Sequence, residues 1–592
     1  MSPDHDSAED PALDPVVWGS DGQPRSRAFG DVYFSAADGL AETRAVFLQG
    51  CGLPEAWRGR RRFVVGELGF GTGLNIAALL DLWRRTAPAG ARLHVFTLEA
   101  HPLKAADAAR ALGAWPELAE VSGALLAGWP GWARGWRRID LPEFRATIDL
   151  AMLDAAEALQ AWTGRADAWF LDGFAPAVNP AMWTPQILEL VAARSAPGAA
   201  AATFTVAGAV RRGLAAAGFD VEKKPGFGRK RERLQARLPG PPRPDPAARR
   251  VAVVGGGIAG AAAARAVRAL GGEAIMFEAE APGAGASGNP AVLVAPRLDA
   301  GLGAAAQLFA QAFTRAVQLY ATVPDAVIAR GVRQLPGKAA DLGRFRKAAG
   351  SGLFDPGALR LTEDGLDQAT ALVVDPAPLL TAWAGEFHLA HVAGLRAEDG
   401  GWTLLDAAGA ILARADAVIL AAGLGCESLA DGLDLACVRG QASWAAGEIA
   451  PAVSWGGYAA PTRDGLLFGA THDRGDRGTD VRPADHARNL AALAEALPQL
   501  AARLSGATLA GRAGLRVVTR DNLPIAGPAP QTPAEGLFVL TGFGGRGFVH
   551  APLLAEHVAA LALGAPSPLP AAAQALVDPA RFARRAARRR HS

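Results

Sequence analysis

Residues 62–75 read Arg62-Phe-Val-Val-Gly-Glu-Leu-Gly-Phe-Gly-Thr-Gly-Leu-Asn75, and this stretch decides the fold of the first half of the chain. Its opening residues form an apolar run of strand length, and the following Leu74-Asn-Ile-Ala-Ala-Leu-Leu-Asp-Leu-Trp83 has helical spacing. Between them Gly69, Gly71 and Gly73 let the backbone turn sharply and bring its N–H groups close to a ligand. The next apolar run, Leu93-His-Val-Phe-Thr-Leu98, ends in Glu99, the place where an acid takes ribose hydroxyls. Strand, glycine loop, helix and second-strand acid together predict a Rossmann-like α/β domain that binds a nucleoside.

The second half opens in a similar way. Val251-Ala-Val-Val-Gly255-Gly-Gly257-Ile-Ala-Gly260 runs into an alanine-rich helix, and the strand after it, Ala274-Ile-Met-Phe277, ends in Glu278. Gly255, Gly257 and Gly260 form G-x-G-x-x-G with an acid about twenty residues on, the dinucleotide fingerprint, which leaves FAD and NAD both open. Between the halves, Leu238-Pro-Gly-Pro-Pro-Arg-Pro-Asp-Pro246 holds five prolines, a composition that disfavours helix and sheet. The expected organisation is a nucleoside-binding domain over 1–238, a linker over 239–248, a dinucleotide-binding domain over 249–570 and an Arg-rich tail over 571–592.

Composition bounds the rest. A chain of 592 residues exceeds one core, and 50% hydrophobic with 20% charged residues excludes a largely disordered protein. Three scattered cysteines fit neither a disulfide framework nor a zinc cluster, so no metal is expected and a reducing, cytoplasmic setting is. The start, MSPDHDSAEDPALDP, is acidic and lacks the features of a secretory signal, and no apolar run is long enough for a membrane span. The net charge of +2 says little about nucleic acid, because it averages unlike segments. Lys223-Lys-Pro-Gly-Phe-Gly-Arg-Lys-Arg-Glu-Arg233 carries six bases and one acid, and Arg581-Phe-Ala-Arg-Arg-Ala-Ala-Arg-Arg-Arg590 carries six arginines. Either segment reads as a phosphate-contacting strip or as a solvated surface.

Glu67, two residues before the first glycine, gives an E-x-G-x-G-x-G loop that resembles S-adenosylmethionine methyltransferases. The resemblance implies that Glu67 meets the methionine ammonium and that Asp154 meets the adenine amino group. Trp169-Phe-Leu-Asp172-Gly-Phe174-Ala-Pro176 then places an acid and an aromatic at a strand end, where open α/β sheets bind ligands. Methyl transfer to an amine needs a group that orients the amine and takes its proton, so Asp172 and Phe174 are the catalytic candidates. The competing reading of Asp172 is a helix cap in a buried turn.

Three later features resemble the glycine oxidase, sarcosine oxidase and D-amino-acid oxidase superfamily and imply FAD. They are Gly285-Ala-Ser287-Gly-Asn289, the run Ala415-Asp-Ala-Val-Ile-Leu-Ala-Ala-Gly423, and Gly542-Phe-Gly-Gly545-Arg546-Gly547. Ser287, Gly423, Gly545, Arg546 and Gly547 are thereby expected at the flavin, and Arg516 at the substrate carboxylate. Arg439-Gly440-Gln441 resembles a loop bordering the flavin ring. An inserted α+β substrate domain is expected with this fold.

A methyltransferase ahead of an FAD amine oxidase resembles the family of bifunctional tRNA 5-methylaminomethyl-2-thiouridine biosynthesis proteins. Matching stretches include Phe29-Gly-Asp-Val-Tyr-Phe-Ser35, residues 67–75 and 168–176, and Gly226-Phe-Gly-Arg-Lys-Arg-Glu232. The resemblance implies that the FAD domain removes the carboxymethyl group from a modified wobble uridine of tRNA, and that the methyltransferase domain then methylates the new amine. A monomer is expected. The rival readings are a glycine- or sarcosine-type oxidase of small molecules fused to an amine methyltransferase, and a non-catalytic tRNA-binding protein.

Overall fold

The computed structural model describes residues 15–35, 38–228, 230–244, 249–299, 301–532 and 534–591, the last four of these as backbone only. The acidic start, Arg229 of the basic strip, the end of the proline linker and the side chains of Arg588, Arg589 and Arg590 lie outside the described residues. The chain divides into two compact units, Met1–Pro246 and Ala247–Ser592.

The first unit is built on an eight-stranded sheet. Its spatial order is Gly135–Leu141, Ala146–Met152, Arg92–Leu98, Arg62–Leu68, Ala166–Leu171, Ser195–Thr203, Glu232–Arg237, Asp220–Pro225. The five strands from Ala146–Met152 to Ser195–Thr203 are parallel, and their near-continuous apolar character reflects burial on both faces. Helix Leu74–Thr86 starts at the glycine loop and buries Leu74, Ile76, Leu79, Leu80 and Trp83, with the Trp83 indole donating to the Phe144 carbonyl at 3.0 Å. It ends where Ala87 turns extended ahead of Pro88. On the other side Phe96 stacks on Trp162, with centroids 4.3 Å apart and planes at 5°. The basic strip forms a hairpin between Asp220–Pro225 and Glu232–Arg237.

In the second unit a six-stranded sheet runs Phe387–Leu389, Glu273–Glu278, Arg250–Val254, Ala417–Leu420, Leu537–Thr541, Ile525–Pro528. All neighbours are parallel except the last pair. Helices Ile258–Ala269 and Gly547–Ala562 pack together over it. A separate ten-stranded sheet carries the long antiparallel pair Leu435–Ala446 and Ala510–Thr519. Its strands are interleaved in sequence with those of the six-stranded sheet, as in the α+β insertion expected with this fold.

Residues 571–585 are not a free tail. Helix Ala571–Val577 packs on Ala304–Tyr320, and Arg581, 3% exposed, donates Nε and Nη2 to the two oxygens of Asp521 at 3.0 and 2.9 Å. Arg585 also pairs with Asp521, whereas Arg584 pairs with the nearby Asp578, so two of the six arginines tie this segment to the rest of the second unit. Asp521 lies about 60 residues away in the sequence, beyond the reach of local charge patterning. Among the described residues no helix is long and apolar enough to cross a membrane, and no cluster of His, Cys, Asp and Glu has a metal-binding arrangement. The three cysteines are buried and unpaired, and burial pushes the Cys51 and Cys426 thiols up to about 12.

Candidate functional sites

In the first sheet the strand order reverses beside Arg62–Leu68, and such switch points open a crevice at the strands' C-terminal ends. A cavity of about 770 Å³ lies there, lined by Gly69, Gly71, Glu99, Asp154, Asp172 and Phe174 among others. Gly69, Gly71 and Gly73 all have left-handed φ values, 86°, 51° and 78°, which explains why the loop needs three glycines. Gly73 caps the helix without a side chain, leaving the first-turn N–H groups facing the loop.

Each acid of the site is held in a distinct way. Glu99 accepts from Gly71 N–H at 3.0 Å and from His101 N–H at 2.8 Å, and both oxygens keep a lone pair for ribose hydroxyls. Glu67 is fully buried; Oε2 accepts from the Thr97 hydroxyl at 2.6 Å, while Oε1 has no partner. Burial pushes its carboxyl up to about 8. Asp172 accepts from Asn75 Nδ2 at 2.8 Å and from Gly173 N–H at 2.9 Å, and burial raises it to about 6. It caps no helix. The capping role falls instead to Asp154, whose Oδ1 accepts from Glu157 N–H at 3.0 Å at the start of Ala155–Ala161.

The Phe174 ring packs against Phe29 and Tyr33, with centroids at 5.1 and 5.3 Å. Asp31 accepts from Ala175 N–H at 3.1 Å, so residues 29–35 form a strap over the loop that carries Phe174. Lys230, from the basic hairpin, also lines the cavity and pairs with Glu42 at 2.8 Å. Lys223 and Lys224 are paired with Glu232 and Glu222, and Arg233 donates to the Ala45 carbonyl, so much of the strip's charge is answered within the unit.

In the second unit the fingerprint glycines join Arg250–Val254 to the helix that begins at Ile258. A Cβ at Gly260 would lie 1.7 Å from the Gly255 carbonyl, so only glycine permits this helix to pack on the loop. The helix start carries no side-chain cap at Gly257, while Ser287 Oγ accepts from Ile258 N–H at 3.1 Å. Glu278 accepts from Gly256 N–H and, at 3.1 Å, from Glu280 N–H. Gly423 follows the central strand Ala417–Leu420, and the loop holding Gly545, Arg546 and Gly547 starts the helix Gly547–Ala562. Arg546 is exposed, and its Nη1 reaches the Ala295 carbonyl at 3.4 Å. The glycine turn into the helix start and the acid at the end of the second strand fit FAD.

Arg516 lies beside that loop. Its Nη2 donates to the Thr471 carbonyl at 2.6 Å, and a Cβ at Gly545 would sit 3.6 Å from Nη1. Burial lowers its pKa, with Tyr458 and Asp473 opposing. Arg439-Gly440-Gln441 is not a loop: it lies inside strand Leu435–Ala446. Strand alternation turns Arg439 to the opposite face, where it is wholly buried against Asp485 at 2.5 Å. Only Gly440 of the three faces Arg516.

Sequence reading missed several groups that the fold brings to these sites. Asn75 and the Phe29–Tyr33 strap reach Asp172 and Phe174 from distant positions. Arg512, one helix-like step before Arg516 but on the same strand face, donates to the Gly283, Ala284 and Gly285 carbonyls and ties the substrate strand to the cofactor loop. His550, by contrast, is packed on Phe309 with centroids 5.4 Å apart and lowered by burial to about 3, as a core histidine is.

Together the two sites define a class, a methyltransferase joined to a flavin-dependent amine oxidoreductase. Residues 116–239 match the model of an S-adenosyl-L-methionine-dependent methyltransferase family, and residues 250–561 that of the FAD dependent oxidoreductases. The first match begins downstream of the glycine loop, so that loop stands on its own geometry. The tRNA 5-methylaminomethyl-2-thiouridine biosynthesis bifunctional protein MnmC of Caulobacter sp. is 59% identical, covering 98% of this chain and 99% of that one. Its counterpart in Caulobacter vibrioides is 57% identical over 96% of this chain and 98% of its own. The chain belongs to the MnmC family, and it is an enzyme with one S-adenosylmethionine-dependent and one FAD-dependent half. The crystal structure of glycine oxidase from Geobacillus kaustophilus covers 54% of this chain and 96% of its own, at 23% identity and TM-score 0.45.

Proposed function

We propose that the protein performs two successive steps on the wobble uridine of tRNA. The FAD-dependent half oxidises the carboxymethyl C–N bond of 5-carboxymethylaminomethyl-(2-thio)uridine to C=N by two electrons; water then adds to that carbon and the fragment leaves as glyoxylate, giving 5-aminomethyl-(2-thio)uridine. The other half transfers a methyl group from S-adenosylmethionine to that amine, giving 5-methylaminomethyl-(2-thio)uridine. The observation that carries the reading is full-length identity of 59% to a relative named for this pathway, with both glycine-loop sites present.

Gly255, Gly257, Gly260, Glu278, Ser287, Gly423, Gly545, Arg546 and Gly547 would hold FAD, which would supply the two-electron acceptor for oxidation of the C–N bond. Arg516 clamps the carboxylate of the carboxymethyl group through its planar fork, fixing the carbon to be oxidised. In the methyltransferase site, Glu67, Gly69, Gly71, Gly73, Glu99 and Asp154 hold S-adenosylmethionine. The amine lone pair forms the new N–C bond as the S–C bond breaks, and Asp172 takes the proton the nitrogen sheds. Phe174, braced by Phe29 and Tyr33, gives the base a flat face.

The buried free thiols and the lack of a membrane-length helix among the described residues support a cytoplasmic enzyme. We read it as a monomer. Flavin bleaching separates this function from a small-molecule oxidase. Anaerobic mixing with tRNA bearing carboxymethylaminomethyluridine bleaches the flavin faster than equal concentrations of glycine or sarcosine. Faster bleaching by the free amino acids would overturn the tRNA reading.

A further inference from the structure

Behind Asp172 runs a hydrogen-bond chain through two buried residues. Thr43 ends the helix Gly39–Thr43, and its hydroxyl donates to Asn75 Oδ1 at 2.8 Å. Asn75, in the first turn of Leu74–Thr86, then donates Nδ2 to Asp172 Oδ2 at 2.8 Å. Thr43 and Asn75 are 3% and 7% exposed, so water does not compete for these contacts.

The chain has one workable direction. A carboxylate only accepts, so the amide must turn its nitrogen to Asp172. Its oxygen then faces Thr43, whose hydroxyl has a proton to give. With the hydroxyl removed, the amide oxygen is buried without a donor, at a cost of about 1–3 kcal/mol, and the orientation is no longer fixed. The flipped amide would set an oxygen against the carboxylate.

We propose that Thr43 and Asn75 are positioning residues for methyl transfer: Thr43 fixes the Asn75 amide, which holds the Asp172 carboxylate aimed at the acceptor amine. The inference rests on Asp172 serving the methyl-transfer step. Asp172 sits where charge is finely balanced. Burial raises it to about 6, the hydrogen bonds from Asn75 and Gly173 lower it, Glu42 raises it and Lys230 lowers it. Glu67, on the neighbouring strand end, is in turn raised by burial, by Asp172 and by Glu99. Loss of the Asn75 donor therefore shifts Asp172 towards its protonated form, which cannot take a proton from the amine.

The test is the pH dependence of methylation of aminomethyl-tRNA by the full chain, with the thermal unfolding midpoint of the first unit as the folding control. The wild type loses rate as pH falls through about 6. Asn75→Leu and Thr43→Val move that acid limb upward by about one pH unit and lower kcat at pH 7 roughly tenfold, about twofold of it from titration and the rest from the misaimed carboxylate, with KM for tRNA changed less than about twofold. Thr43→Ser restores the wild-type profile. Thr43→Val is nearly isosteric and carries the test if Asn75→Leu does not fold. Superimposable acid limbs for Thr43→Val and wild type would overturn the proposal, as would a rise in KM alone. Asp172→Asn separates the two ideas. If it methylates normally, the role of Asp172 fails; if it is inactive while Asn75→Leu titrates as wild type, only the relay fails.

Discussion

Gly440 and Arg516 face the same side of one antiparallel strand pair, and a Cβ at position 440 would fall 1.5 Å from Arg516 Nη2. The guanidinium therefore lies across bare backbone, and its reach to the Thr471 carbonyl and to the Gly545 loop depends on a residue that has no side chain.

Gly440→Ala pushes Arg516 out of its seat. A displacement of about 1 Å at a positioning group costs roughly 10²-fold in rate, and that is the expected loss in kcat/KM for the oxidative step. Stopped-flow reduction of the flavin by carboxymethylaminomethyl-tRNA checks it. The flavin spectrum of the resting variant stays that of the wild type, which separates a misplaced arginine from a lost cofactor.

Glu67 carries a proton in the free protein at pH 7, because burial lifts it from 4.5 to about 8. Binding the ammonium of S-adenosylmethionine ionises it, so binding releases up to about one proton. Titration calorimetry in buffers of different ionisation enthalpy measures that number; a value of zero removes Glu67 from the ammonium site.

The same shift sets a stability trend. The folded state binds this proton more tightly than the unfolded state, so stability falls as pH rises from 4.5 through about 8. Glu67→Gln cannot ionise and loses this dependence. Thermal unfolding of the first unit at pH 8.5 is expected about 2–4 °C higher in the variant, with weaker S-adenosylmethionine binding.

Gly257→Glu places a carboxylate at the uncapped helix start, where a Cβ already comes within 3.1 Å of Ser287 Oγ. The purified variant is expected to be colourless and inactive in the first step. Methylation of ready-made aminomethyl-tRNA stays within about twofold of wild type, since the two sites lie in separate units.

Arg581→Ala breaks a buried bidentate pair with Asp521 and leaves that carboxylate without its main partner. The expected destabilisation of the second unit is about 2–4 kcal/mol, read from denaturant unfolding, against about 0.5 kcal/mol for the exposed Arg584→Ala. Equal effects would show that Arg581 is no anchor.

What the sequence made legible was local. Both glycine loops, Glu99 and Glu278 sit within about 40 residues of the strand that starts each fold, so spacing alone places them. Asp172 and Phe174 stood out because a strand end concentrates chemistry. Asn75 looked like helix filler, and its partner Thr43 lies on an unrelated short helix. The Phe29–Tyr33 strap meets Phe174 from more than 140 residues away. Arg512 was hidden among many arginines, and Arg439 was misjudged because a strand's two faces cannot be told apart before its pairing is known. The pairing of Arg581 and Arg585 was hidden in a similar way, because Asp521, which claims both, is about 60 residues distant.

The central claim, two ordered reactions on one base, is tested most directly by nucleoside mass analysis. tRNA carrying the carboxymethylaminomethyl group is incubated with the protein, with and without S-adenosylmethionine, then digested. The account predicts aminomethyluridine without the methyl donor and methylaminomethyluridine with it, and accumulation of the former in Asp172→Ala. Unchanged carboxymethylaminomethyluridine under both conditions would contradict it.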